Sequence, residues 1–214
     1  MSLRAFIVLA AVPAFAASVD LSRLLESVEK RYNKAQTLQV TFQETLSAGG
    51  RGRPAESGEL FLRKPGRMRW EYSNPAGKLF LSDSKNIYYY NPVSKRAEKM
   101  KFKESDDMRA PLAFLLGKLD FSKDFKDFRT AEHSSGMLIT AFPKSGKLPY
   151  KQVEFLVAPD SAIRELRVHG FDNSLLTFNF SNEKVNPALS DKMFQFALPP
   201  GATWVDSTGE GETR

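Results

Sequence analysis

Leu21, Leu24, Leu25, Val28 and Tyr32 fall at i, i+3, i+4, i+7 and i+11. That spacing predicts an amphipathic helix of roughly four turns, with Asp20 as its N-cap. The period then switches to two. Leu38, Val40 and Phe42 alternate with Gln39, Thr41 and Gln43, and the glycine-rich stretch from Ala48 to Gly58 reads as a hairpin loop. Leu60 and Leu62 follow, then a Pro65-Gly66 turn, after which Met68, Trp70 and Tyr72 alternate with Arg67, Arg69 and Glu71. Further strands are expected at Lys78–Ser82, Ile87–Tyr90 and Ala97–Phe102, with turns at Ser73-Asn74-Pro75, Ser82-Asp83-Ser84 and Asn91-Pro92.

The alternation breaks at Asp106. The run Pro111-Leu112-Ala113-Phe114-Leu115-Leu116-Gly117 has a proline near the first helical position and a glycine where a C′ residue belongs. Phe121, Phe125 and Phe128 recur at i, i+4 and i+7 and predict another short helical stretch. Strands resume at Met137–Phe142, Lys151–Val157, Ile163–Val168 and Leu175–Phe180. A last one is expected at Phe194–Leu198, ending at Pro199-Pro200-Gly201, and residues 207–214 read as a loose polar tail.

The pattern amounts to about ten or eleven short strands in one domain, preceded by one helix and interrupted by a helical insertion. Because the strands alternate, the sheet has one wet face and one buried face. A sheet this long must curl or close. Its apolar face draws on 17 Phe, 6 Tyr, 6 Met and 2 Trp, and only about two short helices are available to cover it. Two outcomes follow: a lipid-sized cavity beneath a thin helical cover, or a solid core in which the aromatics pack on the helices.

The first sixteen residues change the picture of where the chain works. Arg4, an apolar run from Ala5 to Val12 and Ala14-Phe15-Ala16 have the order of a secretory signal peptide, with cleavage expected before Ala17. The run is too short for a permanent anchor. Export as a soluble protein is the expectation, with residues 17–206 forming the domain. The chain has no cysteine, which suits an oxidising compartment and excludes thiol catalysis and Cys-bound metals. Its formal charge is +6, of which Arg4 carries one, so +5 remains after cleavage. Acids and bases are interspersed, as in Lys95-Arg96-Ala97-Glu98-Lys99, and read as a solvated surface, not as a nucleic-acid site.

Candidate chemistry is sparse. No HExxH, G-x-S-x-G, P-loop or dinucleotide fingerprint occurs, and no cofactor is expected. His133 and His169 lack ligand or triad spacing. Glu44, Glu59 and Glu71 offer carboxylate pairs only of the kind any exported β-protein has, and Arg51-Gly52-Arg53 is a loop charge cluster. Lys64 is the odd residue. Period two places it on the face of Leu60 and Leu62, so its ammonium either points inward to backbone carbonyls of a covering helix or snorkels out at the strand end.

The run from Gly58 to Tyr72 (GELFLRKPGRMRWEY) resembles the central hairpin of the periplasmic outer-membrane lipoprotein carriers of the LolA type. Pro75, Leu79-Phe80-Leu81-Ser82-Asp83, Ile87-Tyr88-Tyr89-Tyr90-Asn91-Pro92, Ala110–Leu116 and Phe194–Gly201 continue the likeness over nearly the whole chain after the leader. The resemblance implies an α+β fold, a single-domain unclosed antiparallel β-barrel with a helical lid over an apolar concave face. It implies a non-enzymatic, monomeric carrier in the periplasm. Such a carrier takes the acyl chains of triacylated lipoproteins from an inner-membrane ATP-driven exporter to an outer-membrane acceptor.

The lipid-binding residues so implied are Leu24, Leu25 and Val28 of the helix, then Val40, Phe42, Leu60 and Leu62. Met68, Trp70, Tyr72, Leu79, Leu81, Leu112, Leu115, Leu116, Phe155 and Phe178 complete the set. Lys64 stands where the family has an arginine that latches the lid, and is expected to bond carbonyls of Pro111–Gly117. Lysine lacks the planar fork of arginine, which makes this a departure. Met68 replaces a large aromatic of the family with a flexible side chain. Two rivals stand beside this reading. An envelope-stress sensor of the same fold would normally need a second domain, for which this reading leaves no room. An exported lipid hydrolase would need a nucleophile constellation.

Overall fold

The computed structural model describes residues 20–102, 119–146 and 148–205. The leader, the segment Pro111–Gly117 and the tail at 207–214 lie outside the described residues. Helix α1 (Leu21–Lys34) starts at the expected cap, where the Asp20 carboxylate accepts from the N–H groups of Ser22 at 3.0 Å and Arg23 at 3.4 Å. Those are two of the donors that a helix start leaves unpaired. The stripe from Leu21 to Tyr32 packs on the sheet, and the chain turns at Ala35 straight into the first strand.

Thirteen strands form one sheet among the described residues. They are β1 (Thr37–Ala48), β2 (Arg51–Gly52), β3 (Glu56–Arg63), β4 (Arg67–Asn74), β5 (Ala76–Asp83), β6 (Asn86–Asn91) and β7 (Arg96–Lys101). Then follow β8 (Phe125–His133), β9 (Gly136–Pro143), β10 (Tyr150–Val157), β11 (Ile163–Gly170), β12 (Leu175–Val185) and β13 (Thr203–Val205). The spatial order is β13-β7-β6-β5-β4-β3-β1-β12-β11-β10-β9-β8, with β2 a stub on β1. Pairing is antiparallel apart from β13, which lies parallel to β7. The end strands β13 and β8 do not pair with each other, so the barrel is unclosed.

The count exceeds the ten or eleven expected because β2, β8 and β13 were not anticipated, while the strand expected at Phe194–Leu198 does not form. The Phe121, Phe125 and Phe128 spacing gives only one helical turn, α2 (Phe121–Asp124), before β8 begins at Phe125. A bulge between Lys126 and Arg129, with Asp127 at φ 53°, interrupts the ladder to β9. An extra residue in a strand restores two side chains three apart to the same face, which imitates helical spacing. Phe125 and Phe128 accordingly both meet Phe121, at ring-centroid distances of 6.2 and 6.4 Å.

The strand expected at Phe194–Leu198 is corrected. The chain there forms a 3₁₀ turn (Asp191–Phe194) and then runs without ladder partners to Pro199 and Pro200, which have no N–H to give. It straps the outer face of the sheet instead of extending an edge. Phe194 is buried, and Phe196 stacks on Tyr88 at 4.9 Å with the rings 3° from parallel. Arg63 and Arg69 donate to the carbonyls of Leu189 (2.8 Å) and Met193 (3.0 Å), and Arg67 pairs with Asp191.

The β3–β4 hairpin is fixed by a close approach at Gly58. A Cβ there would lie 1.9 Å from the Glu71 carbonyl oxygen, across the register shift between Ser57 and Gly58. Gly58→Ala is expected to cost ~1–3 kcal/mol, the range for forcing an extra carbon into a packed site. The urea midpoint checks this: it should fall with the slope unchanged, and an unmoved midpoint would mean that the two backbones separate freely.

Candidate functional site

Antiparallel register decides which side chains share the inner face. β1 presents Val40, Phe42 and Glu44; β3 places Leu60 opposite Val40, and β4 places Trp70 opposite Leu60. Trp70, Met68 and Tyr72 are all buried, as are Leu62, Phe155 and Phe178. Phe42 meets the Trp70 ring edge-on at 4.7 Å and the Tyr72 ring at 5.0 Å, while Phe178 lies 5.2 Å from Trp70. Edge-on aromatic contacts of this kind add ~0.5–1.5 kcal/mol each beyond area burial. Among the described residues Trp70 Nε1 is buried without a hydrogen-bond partner, so the indole sits among apolar groups.

Leu79 and Leu81 do not belong to that face. β5 pairs Trp70 with Phe80 and Met68 with Ser82, so Phe80 and Ser82 point inward and the two leucines point outward. Leu81 is fully buried, yet on the opposite side, where the 3₁₀ turn packs on β4 and β5. The run Leu79-Phe80-Leu81 is apolar on both faces and cannot reveal its own orientation. Leu24, Leu25 and Val28 face the core from α1, and Leu112, Leu115 and Leu116 lie outside the described residues.

One rim of the half-barrel is tied to α1. Lys64, at the end of β3, points its ammonium inward and donates to the Tyr32 carbonyl at 2.7 Å. That carbonyl is among the last four of α1, which have no intrahelical donor, and a cation there also opposes the helix dipole. Burial pushes the Lys64 pKa down. The covering carbonyl is thus in α1; the bond to Pro111–Gly117 expected above falls outside the described residues.

Around Lys64 the same rim is dense with polar ties. Tyr32 Oη donates to Glu183 Oε2 at 2.9 Å and accepts from the Ile163 N–H at 2.9 Å. Burial, and then the Glu183 charge, push the Tyr32 phenol pKa well up, so it remains a donor. Arg31 Nε reaches Glu183 Oε1 at 2.9 Å. Asn33 exchanges two bonds with the backbone of Leu119, at 2.8 and 2.7 Å, and Glu29 accepts from the Phe121 N–H at 2.7 Å.

The opposite rim is open. A cavity of about 340 Å³ lies on the inner face of β1, β3, β5, β6 and β7, with Leu46, Phe80 and Met100 as its apolar surfaces and Glu44, Glu56 and Lys78 in its wall. Ligand pockets span ~300–1,000 Å³, so this one is at the small end. Glu44 is only 7% exposed and accepts from Tyr72 Oη at 2.9 Å. Lys78 pairs with Glu56 and stands 4.3 Å from the Tyr72 ring centroid. A second groove of about 610 Å³ runs on the outer face between Leu79, Tyr90 and Pro199.

Sequence reasoning missed this mouth, although its signal was present. The β1 period continues Leu38, Val40, Phe42, Glu44, Leu46, which puts a carboxylate on the apolar face. Likewise Lys78 precedes Phe80 and Ser82 on the inner face of β5. Among the described residues no cluster of three or more His, Cys, Asp or Glu could hold a metal.

Together these features define an unclosed β-barrel whose apolar inner face is covered at one rim and carries a cavity at the other. The model of the family described as outer membrane lipoprotein carrier protein LolA matches residues 33–197, and the chain belongs to that family. A relative from Pseudomonas syringae, called outer-membrane lipoprotein carrier protein, is 28% identical over 194 residues, 89% of this chain and 90% of its own. One of the same name from Dechloromonas aromatica is 29% identical, covering 79% and 81%. Among solved structures, an uncharacterized conserved protein from Thermus thermophilus superposes with a TM-score of 0.52 at 12% identity, over 87% of this chain and 98% of that one. MucB superposes with a TM-score of 0.51 at 15% identity, over 85% of this chain and 64% of its own. These two likenesses concern the fold alone.

The two tryptophans separate inner face from surface. Trp70 is 0% exposed and Trp204 48% exposed. The difference spectrum between the native protein and Trp70→Phe should therefore show blue-shifted emission that iodide does not quench. A red, quenchable difference spectrum would turn β4 the other way round.

Proposed function

We propose that this protein is a periplasmic carrier that holds the acyl chains of lipoproteins and passes them from an inner-membrane ATP-driven exporter to an outer-membrane acceptor, with no bond made or broken. The observation that carries the reading is the apolar inner face, which runs from Val28 of α1 to Trp70 and Phe178 and extends to the open cavity at Leu46 and Phe80, where Glu44 and Lys78 border it. Family membership supports it. Each buried methylene contributes ~0.8 kcal/mol, so a few chains gripped completely would never leave. The resident cavity is smaller than such cargo, and loading requires the side chains around Trp70 to part.

Lys64 serves as the latch in this account, holding α1 through the Tyr32 carbonyl. Cargo that lifts α1 from the end of β3 breaks the bond from Lys64 to the Tyr32 carbonyl, and its re-formation favours release. Hydrogen bonds to a charged group are worth ~1.5–3 kcal/mol. The proposed lipid contacts are the inner-face members of the set named from sequence; Leu79 and Leu81 drop out because of their register.

The test is displacement of an apolar dye from the purified protein by a triacyl lipopeptide. Competitive displacement at one site is expected, and a monodisperse protein that binds neither would overturn the reading. Lys64→Leu should load labelled lipoprotein readily and hand it to acceptor-bearing vesicles at least ~tenfold more slowly, in line with one lost charge-assisted bond. Lys64→Arg should transfer at the native rate or faster. Native transfer by Lys64→Leu would reduce this lysine to a helix cap.

A further inference from the structure

One corner of the sheet sets large apolar side chains in water among cations. Val93, in the turn between β6 and β7, is 87% exposed, and Trp204 of β13 is 48% exposed. The Lys95 carbonyl of that turn accepts from the Thr203 N–H at 3.0 Å, and β13 then runs along β7 with Trp204 opposite Ala97. The indole leans on Phe196 at 5.4 Å and Tyr88 at 6.3 Å, and Leu198 of the strap is exposed as well. A lone exposed aromatic is ordinary on a protein surface, but the charges around this one are not. The run Lys95-Arg96-Ala97-Glu98-Lys99, mixed in sequence, is sorted in space. Glu98 opposes Tyr89 and borders the inner cavity with Met100, whereas Lys99 opposes Tyr88 on the outer face, 5.7 Å from the centre of that ring. Lys95 and Arg96 are exposed at the turn. Among the described residues none of these three cations forms an ion pair. Further along the outer face Arg63, Arg67 and Arg69 are each paired with Asp191 or Glu71.

We infer that this corner docks the protein, weakly and reversibly, on an anionic lipid bilayer. The inference goes beyond the carrier reading and does not depend on what the inner face binds. Indole and phenol rings favour the membrane–water interface, where the ring meets hydrocarbon and the polar tip meets head groups. A Lys or Arg beside an anionic bilayer raises the partition by about fivefold, within a Debye length of the surface. Neither an indole nor three charges alone would hold the protein; together they make a contact that salt weakens. The apolar part is confined to a turn, a three-residue strand and the end of the strap. That is far short of the roughly 20–30 residues a side of a stable protein interface, whereas a fluid head-group layer conforms to scattered groups. Because β7 presents Met100 to the inner cavity and Lys99 to the outer face, docking at this corner also brings the cavity close to the lipid.

Co-sedimentation with phosphatidylcholine vesicles, prepared with and without phosphatidylglycerol, tests it. At low salt the native protein should pellet only with phosphatidylglycerol present, and added salt should release it. On binding, the difference spectrum between the native protein and Trp204→Phe should move to the blue and lose its quenching by iodide. Lys95→Gln, Arg96→Gln and Lys99→Gln combined should lower the partition at least ~tenfold. Lys123→Gln, Lys126→Gln and Lys151→Gln combined remove the same net charge from the β8–β10 side of the sheet and should leave it at the native value. Trp204→Ala should lower the partition with the salt dependence unchanged. Equal losses in the two triple variants would reduce the effect to net charge and overturn the proposal. A native protein that ignores phosphatidylglycerol vesicles overturns it too, as does one that uses Trp204 to pair with a second copy instead.

Discussion

An open sheet with one largely apolar face has to keep that face from water, and a carrier has to be able to uncover it. Those two demands shape the molecule. The side chains of the inner face are buried among themselves around Trp70, Phe42 and Phe178. That burial stabilises the fold through area, at roughly 25 cal/mol per Å². Area has no direction, so it tolerates exchange of one apolar partner for another. Aromatic rings and Met68 lose little when methylenes of a ligand replace each other's contacts.

The directional interactions sit elsewhere. Lys64, Tyr32, Arg31, Glu183 and Asn33 all act at the rim where α1 turns into β1. They fix how α1 lies on the sheet, and each holds its partner only at short range. Separating α1 from the rim therefore breaks a few bonds sharply, while the apolar contacts beneath change partners gradually. The opposite rim has no such network to α1 among the described residues and presents the cavity with its charged wall. The outer face is stabilised independently, by the strap from Pro187 to Val205 with its arginine bonds and its Phe196–Tyr88 stack.

Much of the fold was legible because a sheet with one wet face writes its period into the chain. α1, its Asp20 cap, and the cores of β1 and of β3 to β7 follow from spacing alone, whereas the stretch read as a loop from Ala48 to Gly58 holds β2 and the start of β3. The inner-face set around Met68, Trp70 and Tyr72 follows from spacing too. The misreadings have a common cause, which is that period does not report what lies across a strand. The bulge in β8 gave Phe125 and Phe128 a helical interval. Phe194 and Phe196 alternate because one side of the strap packs on the outer face, with no ladder behind them, while Leu198 is exposed. Leu79 and Leu81 could be placed only by the pairing of Trp70 with Phe80. The inward course of Lys64 was one of two readings of its face, but its partner in α1 comes from a turn 32 residues earlier, beyond the reach of any local pattern.

The central claim is that cargo enters by parting α1 from the inner face. Spin labels at Glu26, exposed on α1, and at Gln43, exposed on the outer face of β1, report that separation directly. Addition of triacyl lipopeptide should lengthen the distance distribution between them, and a large excess of acceptor vesicles should return it to the starting value. An unchanged distance in a sample whose native mass shows lipopeptide bound would contradict the account, because the inner face would then be taking up its cargo without being uncovered.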